Sequence, residues 1–141
     1  MVYAWAFAGV LLAAEKDSAE YVRSLGGRVF YEKGHVVTVN LSLRPETRRK
    51  VTDDVLPQLK GLIYLRRLDM SGCKVQSLEK LPVLPYLMYL HLENSDVNDF
   101  AVGVIVSRCP ALKAVELENT KVTYATFPLL MTHPTLVWLN L

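Results

Sequence analysis

The stretch His91–Val97, HLENSDV, returns almost unchanged as Glu116–Val122, ELENTKV. Leu, Glu, Asn and Val keep their places, a small hydroxyl residue follows each Asn, and the other letters vary. Working outward, both stretches continue a longer phrase, L-x-x-L-x-L, written as LMYLHL at Leu87–Leu92 and LKAVEL at Leu112–Leu117. The same phrase reads LRRLDM at Leu65–Met70 and LVWLNL at Leu136–Leu141, so successive starts lie 22, 25 and 24 residues apart. A weaker copy, VVTVNL at Val36–Leu41, begins 29 residues before Leu65. Self-similarity at such a period means stacked supersecondary units, each too small to bury its own apolar face.

Each phrase is followed by a small residue and then an aliphatic one: SGCKV ends at Val75, ENSDV at Val97 and ENTKV at Val122. This pattern resembles the leucine-rich repeat family over residues 36–141. Cys73, Ser95 and Thr120 match the family's Asn/Cys position, where an inward polar atom satisfies backbone groups of the turn. The resemblance implies an α/β fold: a right-handed leucine-rich repeat solenoid with a parallel sheet of about five short strands. Val51–Val75 is similar to repeats of bacterial members, and Tyr21–Ser42, YVRSLGGRVFYEKGHVVTVNLS, looks like their lead-in segment. That segment is a helix stopped at Gly26 and Gly27, followed by a hairpin-like pair.

Two regions follow. Residues 1–35 form an N-terminal helix and lead-in segment that caps the stack, and residues 36–141 form the repeat domain. The apolar run Val2–Ala14, VYAWAFAGVLLAA, is thirteen residues long, short of the roughly 20 that span a bilayer. It suits either the core of a signal peptide, although no basic leader precedes it, or a helix packed on the domain's end. Membrane association through this run stays open, as does the compartment, cytoplasmic or membrane-proximal and exported. An amphipathic helix with Val10, Leu11, Tyr21, Val22 and Leu25 inward would close the stack.

The return segments carry signals of their own. Thr52 and Asn98 are N-cap candidates with acidic residues following, and Pro110 marks the end of the second helix. Pro82, Pro85, Pro128 and Pro134 argue against long helices in the other two return segments. The basic run RPETRRK, Arg44–Lys50, lies outside the strands and reads as a solvated loop.

Composition narrows the function. The net charge of +2 is too small to call for nucleic acid, yet it is unevenly spread. Residues 42–80 carry nine Lys/Arg against five Asp/Glu, and residues 81–141 carry three against five. Cys73 and Cys109 form no C-x-x-C pair or disulfide framework, and Cys109 reads as a buried, inert thiol. No G-x-S-x-G, phosphate-binding glycine loop or H-E-x-x-H occurs, so no enzyme activity is expected. His35 and His133 fall in connecting segments and read as structural or solvated.

Alternation along the strands sends Leu90 and Leu92 to one face and Tyr89, His91 and Glu93 to the other. Stacking the outward positions gives three columns. The first is Thr38, Arg67, Tyr89, Ala114, Trp138; the second is Asn40, Asp69, His91, Glu116, Asn140; the third is Ser42, Ser71, Glu93, Glu118. With neighbouring strands about 4.8 Å apart, His91 should lie between Asp69 and Glu116, and Glu93 beside Glu118. The candidate partner-binding residues are therefore Arg67, Asp69, Tyr89, His91, Glu93, Glu116, Glu118 and Trp138. Such a face is either a solvated polar surface or a protein- or peptide-binding one; Tyr89 and Trp138 favour the latter. A divalent-cation or enzymatic site around His91 is a third alternative, since the carboxylates and one imidazole could bind a cation; they lack a closed ligand set, so no metal and no cofactor is expected.

The expected function is a non-enzymatic protein-interaction module that binds through its concave strand face. The alternative is a structural subunit packed permanently in a larger assembly. The phrase LVWLNL leaves an uncapped strand edge that another copy could cover.

Overall fold

The computed structural model describes the backbone of residues 2–141 and the side chains of residues 8–141. Helix α1 spans Val2–Ser24 and stops where the glycines demand it. Gly26 adopts φ +91°, its N–H donates to the Arg23 carbonyl (2.9 Å), and the Gly27 N–H donates to the Val22 carbonyl (3.0 Å). This pair of bonds is the glycine-terminated helix end known as the Schellman motif. Strands β1 (Arg28–Glu32) and β2 (His35–Asn40) then form an antiparallel hairpin. Its two-residue turn, Lys33–Gly34, has both φ values positive, matching the right-handed twist of the strands.

Four three-residue strands follow: β3 (Arg67–Asp69), β4 (Tyr89–His91), β5 (Ala114–Glu116) and β6 (Trp138–Asn140). The six strands make one sheet in sequence order, antiparallel between β1 and β2 and parallel from β2 to β6. The fold is thus mixed α/β around a mostly parallel sheet. Five strands run parallel as the phrase spacing predicts, and the hairpin adds an antiparallel sixth.

The register aligns Val39, Leu68, Leu90, Val115 and Leu139 as one rung of the core. The first four are at most 1% exposed, while Leu139, on the edge strand, is half-buried. Leu41, Met70, Leu92 and Leu117 are also buried, one after each of β2 to β5. A leucine so enclosed contributes about 1.5–3 kcal/mol, which makes these rungs the main source of stability.

After each of β3, β4 and β5 the chain turns through a left-handed residue: Gly72 (φ +70°), Asn94 (φ +58°) and Asn119 (φ +54°). Asn tolerates this region where most side chains do not, and that is why the E-N pair is written twice. The turns stack, Gly72 N–H donating to the Glu93 carbonyl and Asn94 N–H to the Glu118 carbonyl. The small residues just beyond face inward as expected. Ser95 donates to the Leu92 carbonyl (2.5 Å) and Thr120 to the Leu117 carbonyl (2.6 Å). The Cys73 thiol instead reaches the Leu41 carbonyl of the preceding repeat at 3.8 Å.

The return segments differ in kind. Asp53–Gly61 is a 3₁₀ helix that contains Pro57, and Asp99–Arg108 is the α-helix α3. Asn98 caps α3 by accepting from the Phe100 and Ala101 N–H groups. Thr52, expected as an N-cap, makes no side-chain cap bond, and the neighbouring Asp53 serves a different segment. Its carboxylate accepts from the N–H groups of Gln76, Ser77 and Leu78 in the next repeat. Asp99 does the same for Thr123. The proline-rich returns hold no helix between Leu78 and Met88, and only a 3₁₀ turn (Tyr124–Thr126) leading into the short α4 (Phe127–Met131).

The basic run is not a loop: Pro45–Lys50 forms helix α2, with Thr47 buried against Gly26. Proline at the helix start supplies a preset φ, and Arg48 folds over Gly72. Helix α1 lies against β1, β2 and the 3₁₀ segment. Its inward stripe is Leu11, Glu15, Ser18, Ala19 and Val22, so the expected Val10 is instead 67% exposed. Glu15 and Ser18 are the reason. Their side chains accept from Val36 N–H (2.6 Å) and Gly61 N–H (3.1 Å), which turns a polar stripe inward that apolar counting misses. Of the apolar run Val2–Ala14, expected to pack on the domain's end, residues 2–7 lie outside the described side chains. Among the described residues, no helix is long and apolar enough to cross a membrane.

Candidate functional site

The outward strand positions form ladders through the same register that aligns the core. Thr38, Arg67, Tyr89, Ala114 and Trp138 are successive partners, as are Asn40, Asp69, His91, Glu116 and Asn140. The two ends of this face differ chemically.

At the β2–β3 end the polar groups satisfy one another. One Asp69 oxygen accepts from the Ser71 N–H (3.0 Å) and hydroxyl (2.7 Å), and the other from Asn40 Nδ2 (3.1 Å) and the Ser42 hydroxyl (3.0 Å). Four donors on one carboxylate leave little capacity for a ligand. Asp69, one of the expected contact residues, therefore acts chiefly as a brace between two turns. Arg67 is exposed and lies over the Tyr89 ring, 4.9 Å from its centroid, so cation and ring form one amphipathic unit.

At the β4–β5 end the carboxylates are poorly matched. His91 Nδ1 lies 3.3 Å from Glu116 Oε2, both side chains being partly covered. His91 Nε2 and Glu93 Oε2 are enclosed by the protein and have no hydrogen-bond partner in it. Glu118 is exposed and accepts from Asn140 Nδ2 at 3.2 Å. Among the described residues no Lys or Arg forms an ion pair with Glu93, Glu116 or Glu118. Acids away from the face behave differently: Lys121 lies 3.0 Å from Asp96, and its ammonium holds that carboxyl below the usual carboxylate range. Trp138, 60% exposed, closes the face on β6.

The remaining candidates have structural partners. His35 belongs to β2 rather than to a connection; Nδ1 faces Glu15 at 3.1 Å, and its ring lies 4.0 Å from that of Tyr64, which stacks on Tyr86. His133 is buried with Nε2 2.8 Å from the Cys109 carbonyl, so Nε2 carries the proton. Burial pushes the Cys109 thiol up to about 12, and burial reinforced by Asp69 does the same for Cys73. Neither is poised as a nucleophile.

Sequence reasoning misses the Tyr64–Tyr86 stack beside His35, and a pocket of about 330 Å³ between this edge and α1, lined by Leu11, Leu12, Glu15, His35, Ile63 and Tyr64 among others. The signal was present, since aromatic residues directly precede two strand phrases.

No protein-family model matches the chain, and no solved structure matches it. Among curated proteins it is similar to acidic leucine-rich nuclear phosphoprotein 32-related protein 2 of Caenorhabditis elegans, 32% identical over 81 residues. The match covers 57% of this chain and 36% of that protein, so the chain spans little more than a third of the relative's length. The similarity points weakly to leucine-rich repeats, and a nematode relative lends no support to a bacterial likeness.

Proposed function

We propose that the chain is a right-handed leucine-rich repeat solenoid that works as a non-enzymatic protein-interaction module. It binds a basic segment of a protein partner along its strand face. The observation that supports this most is the trio Glu93, Glu116 and Glu118, which meets no Lys or Arg among the described residues and stands between Tyr89 and the exposed Trp138. Glu116 stands on β5 while Glu93 and Glu118 follow β4 and β5 at matching positions, and the mutual repulsion of these carboxylates lowers the cost of accepting a cation. Partner Lys or Arg side chains would relieve that repulsion while apolar parts lie on the rings. The similarity to a leucine-rich protein is consistent with this reading.

The test is a peptide array of varied charge read by fluorescence anisotropy, repeated with the variant Glu93→Lys/Glu118→Lys. Basic peptides should bind the native face, lose affinity with added salt, and fail to bind the reversed one while its unfolding transition stays near that of the parent. If the reversal unfolds the chain, or if binding ignores peptide charge, the reading fails.

A second reading, a structural subunit of a larger assembly, rests on the far edge. Tyr124, Met131 and Val137 are 70–85% exposed near the unpaired side of β6. Light scattering on the eluting chain separates the two: a monomer favours the module, obligate association the subunit.

A further inference from the structure

We propose that His91, Glu93 and Glu116 form a binding site for a divalent transition-metal ion, with Zn²⁺ the fitting probe. The site goes beyond the partner-binding reading and does not depend on it. Each of the three side chains offers one ligand atom, and these atoms all lie within 4.8 Å of one another. The backbone brings them together. His91 and Glu93 are two residues apart and share a face, and Glu116 is the direct partner of His91 on β5.

The spacing suits a small ion. Tetrahedral zinc with bonds near 2.0–2.1 Å sets its ligand atoms roughly 3.4 Å apart. His91 Nδ1 and Glu116 Oε2 already stand 3.3 Å apart. A span of 4.8 Å closes to that separation by a swing of roughly 1.4 Å, within reach of a glutamate side chain. Carboxylates alone would suit calcium or magnesium, but the imidazole nitrogen favours zinc and its transition-metal neighbours.

A second observation comes from the unsatisfied atoms. His91 Nε2 and Glu93 Oε2 are both enclosed and unpartnered within the protein. A carboxylate oxygen can only accept, and a covered acceptor needs a proton donor or a cation. With the His91 proton on Nε2, the Nδ1 lone pair faces Glu116 Oε2 at 3.3 Å, two acceptors with no proton between them. A metal ion held by Nδ1, Glu116 and Glu93 relieves that pair and the covered Glu93 oxygen together. Three protein ligands leave a fourth position on the outer side of the sheet, open to water.

Isothermal titration calorimetry of the full, tag-free chain with ZnCl₂ tests this, alongside Glu93→Gln, His91→Gln and the neighbouring control Glu118→Gln. The parent and the control should take up one equivalent. The two cluster variants should bind at least roughly tenfold more weakly, and Ca²⁺ and Mg²⁺ should bind the parent more weakly by a similar factor. An affinity weaker than about 1 mM for Zn²⁺ overturns the proposal, and so does equal uptake by parent and cluster variants. Should the variants misfold, histidine ring resonances of the parent decide the matter. Zinc must shift those of His91, and shifts confined to His35 or His133 overturn the assignment.

Discussion

Replacing Gly61 by alanine is the sharpest test of how α1 is joined to the repeats. A methyl group there would fall inside the van der Waals envelope of the Ala14 carbonyl and within 2.8 Å of the Glu15 backbone nitrogen. Both neighbours are backbone, so no side chain can swing aside. The helix must retreat by roughly an ångström, which also breaks the 3.1 Å bond from Gly61 N–H to the Ser18 hydroxyl. Overpacking of this kind costs about 1–3 kcal/mol, and a buried N–H left without a partner costs about 1–3 kcal/mol more. The sum, about 2–6 kcal/mol, is large against the stability of an ordinary domain. Urea unfolding measures it, and hydrogen exchange localises it to amides of α1. Gly103→Ala is the counter-case: nothing lies within 4 Å of the new methyl, and in the interior of α3 it should stabilise by about 0.5–1 kcal/mol. A Gly61→Ala protein within about 0.5 kcal/mol of the parent would refute the described helix docking.

Other outcomes follow from the core. Leu90→Ala should lower stability by about 2–5 kcal/mol in urea, because the residue is 1% exposed and sits between Leu68 and Val115; Val137→Ala, at 85% exposure, should leave it nearly unchanged. The thiols of Cys73 and Cys109 should resist a disulfide reagent at pH 8 in the native chain and both react in urea, since burial raises each to about 12. The same shifts set an alkaline limit. Between the ordinary thiol value of 9.0 and about 12 the unfolded chain releases protons that the folded one keeps, so stability should decline across that window and not below it. Denaturant midpoints measured from pH 8 to 11 check the sign.

The aligned rung from Val39 to Leu139 was readable in the sequence because a strand's two-residue alternation and a regular period act on the same leucines. The outward ladders came with it, since the register that aligns one face aligns the other. What stayed hidden depended on side-chain partners rather than on pattern. The four donors around Asp69 come from Asn40, Ser42 and Ser71, and no spacing rule says a carboxylate will be consumed in that way. The inward Glu15 and Ser18 of α1 run against hydrophobic periodicity, being justified only by Val36 and Gly61 far along the chain. Helix α2 hid behind its charges, because the packing of Thr47 on Gly26 outweighs the loop-like composition of RPETRRK. Asn94 and Asn119 belong to the repeated phrase, and their left-handed role shows only when φ is known.

The forward-reaching carboxylates of Asp53 and Asp99 give the stack a direction. Each serves amides about two dozen positions later, so these two repeats supply the lock for their successors and receive none from them through these side chains. Trimming the far repeats would strand carboxylates, which water solvates readily. Removing an early one would instead strand backbone N–H groups and leave the following loop without its clasp, so assembly is expected to proceed from the hairpin outward and to tolerate loss only at the other end.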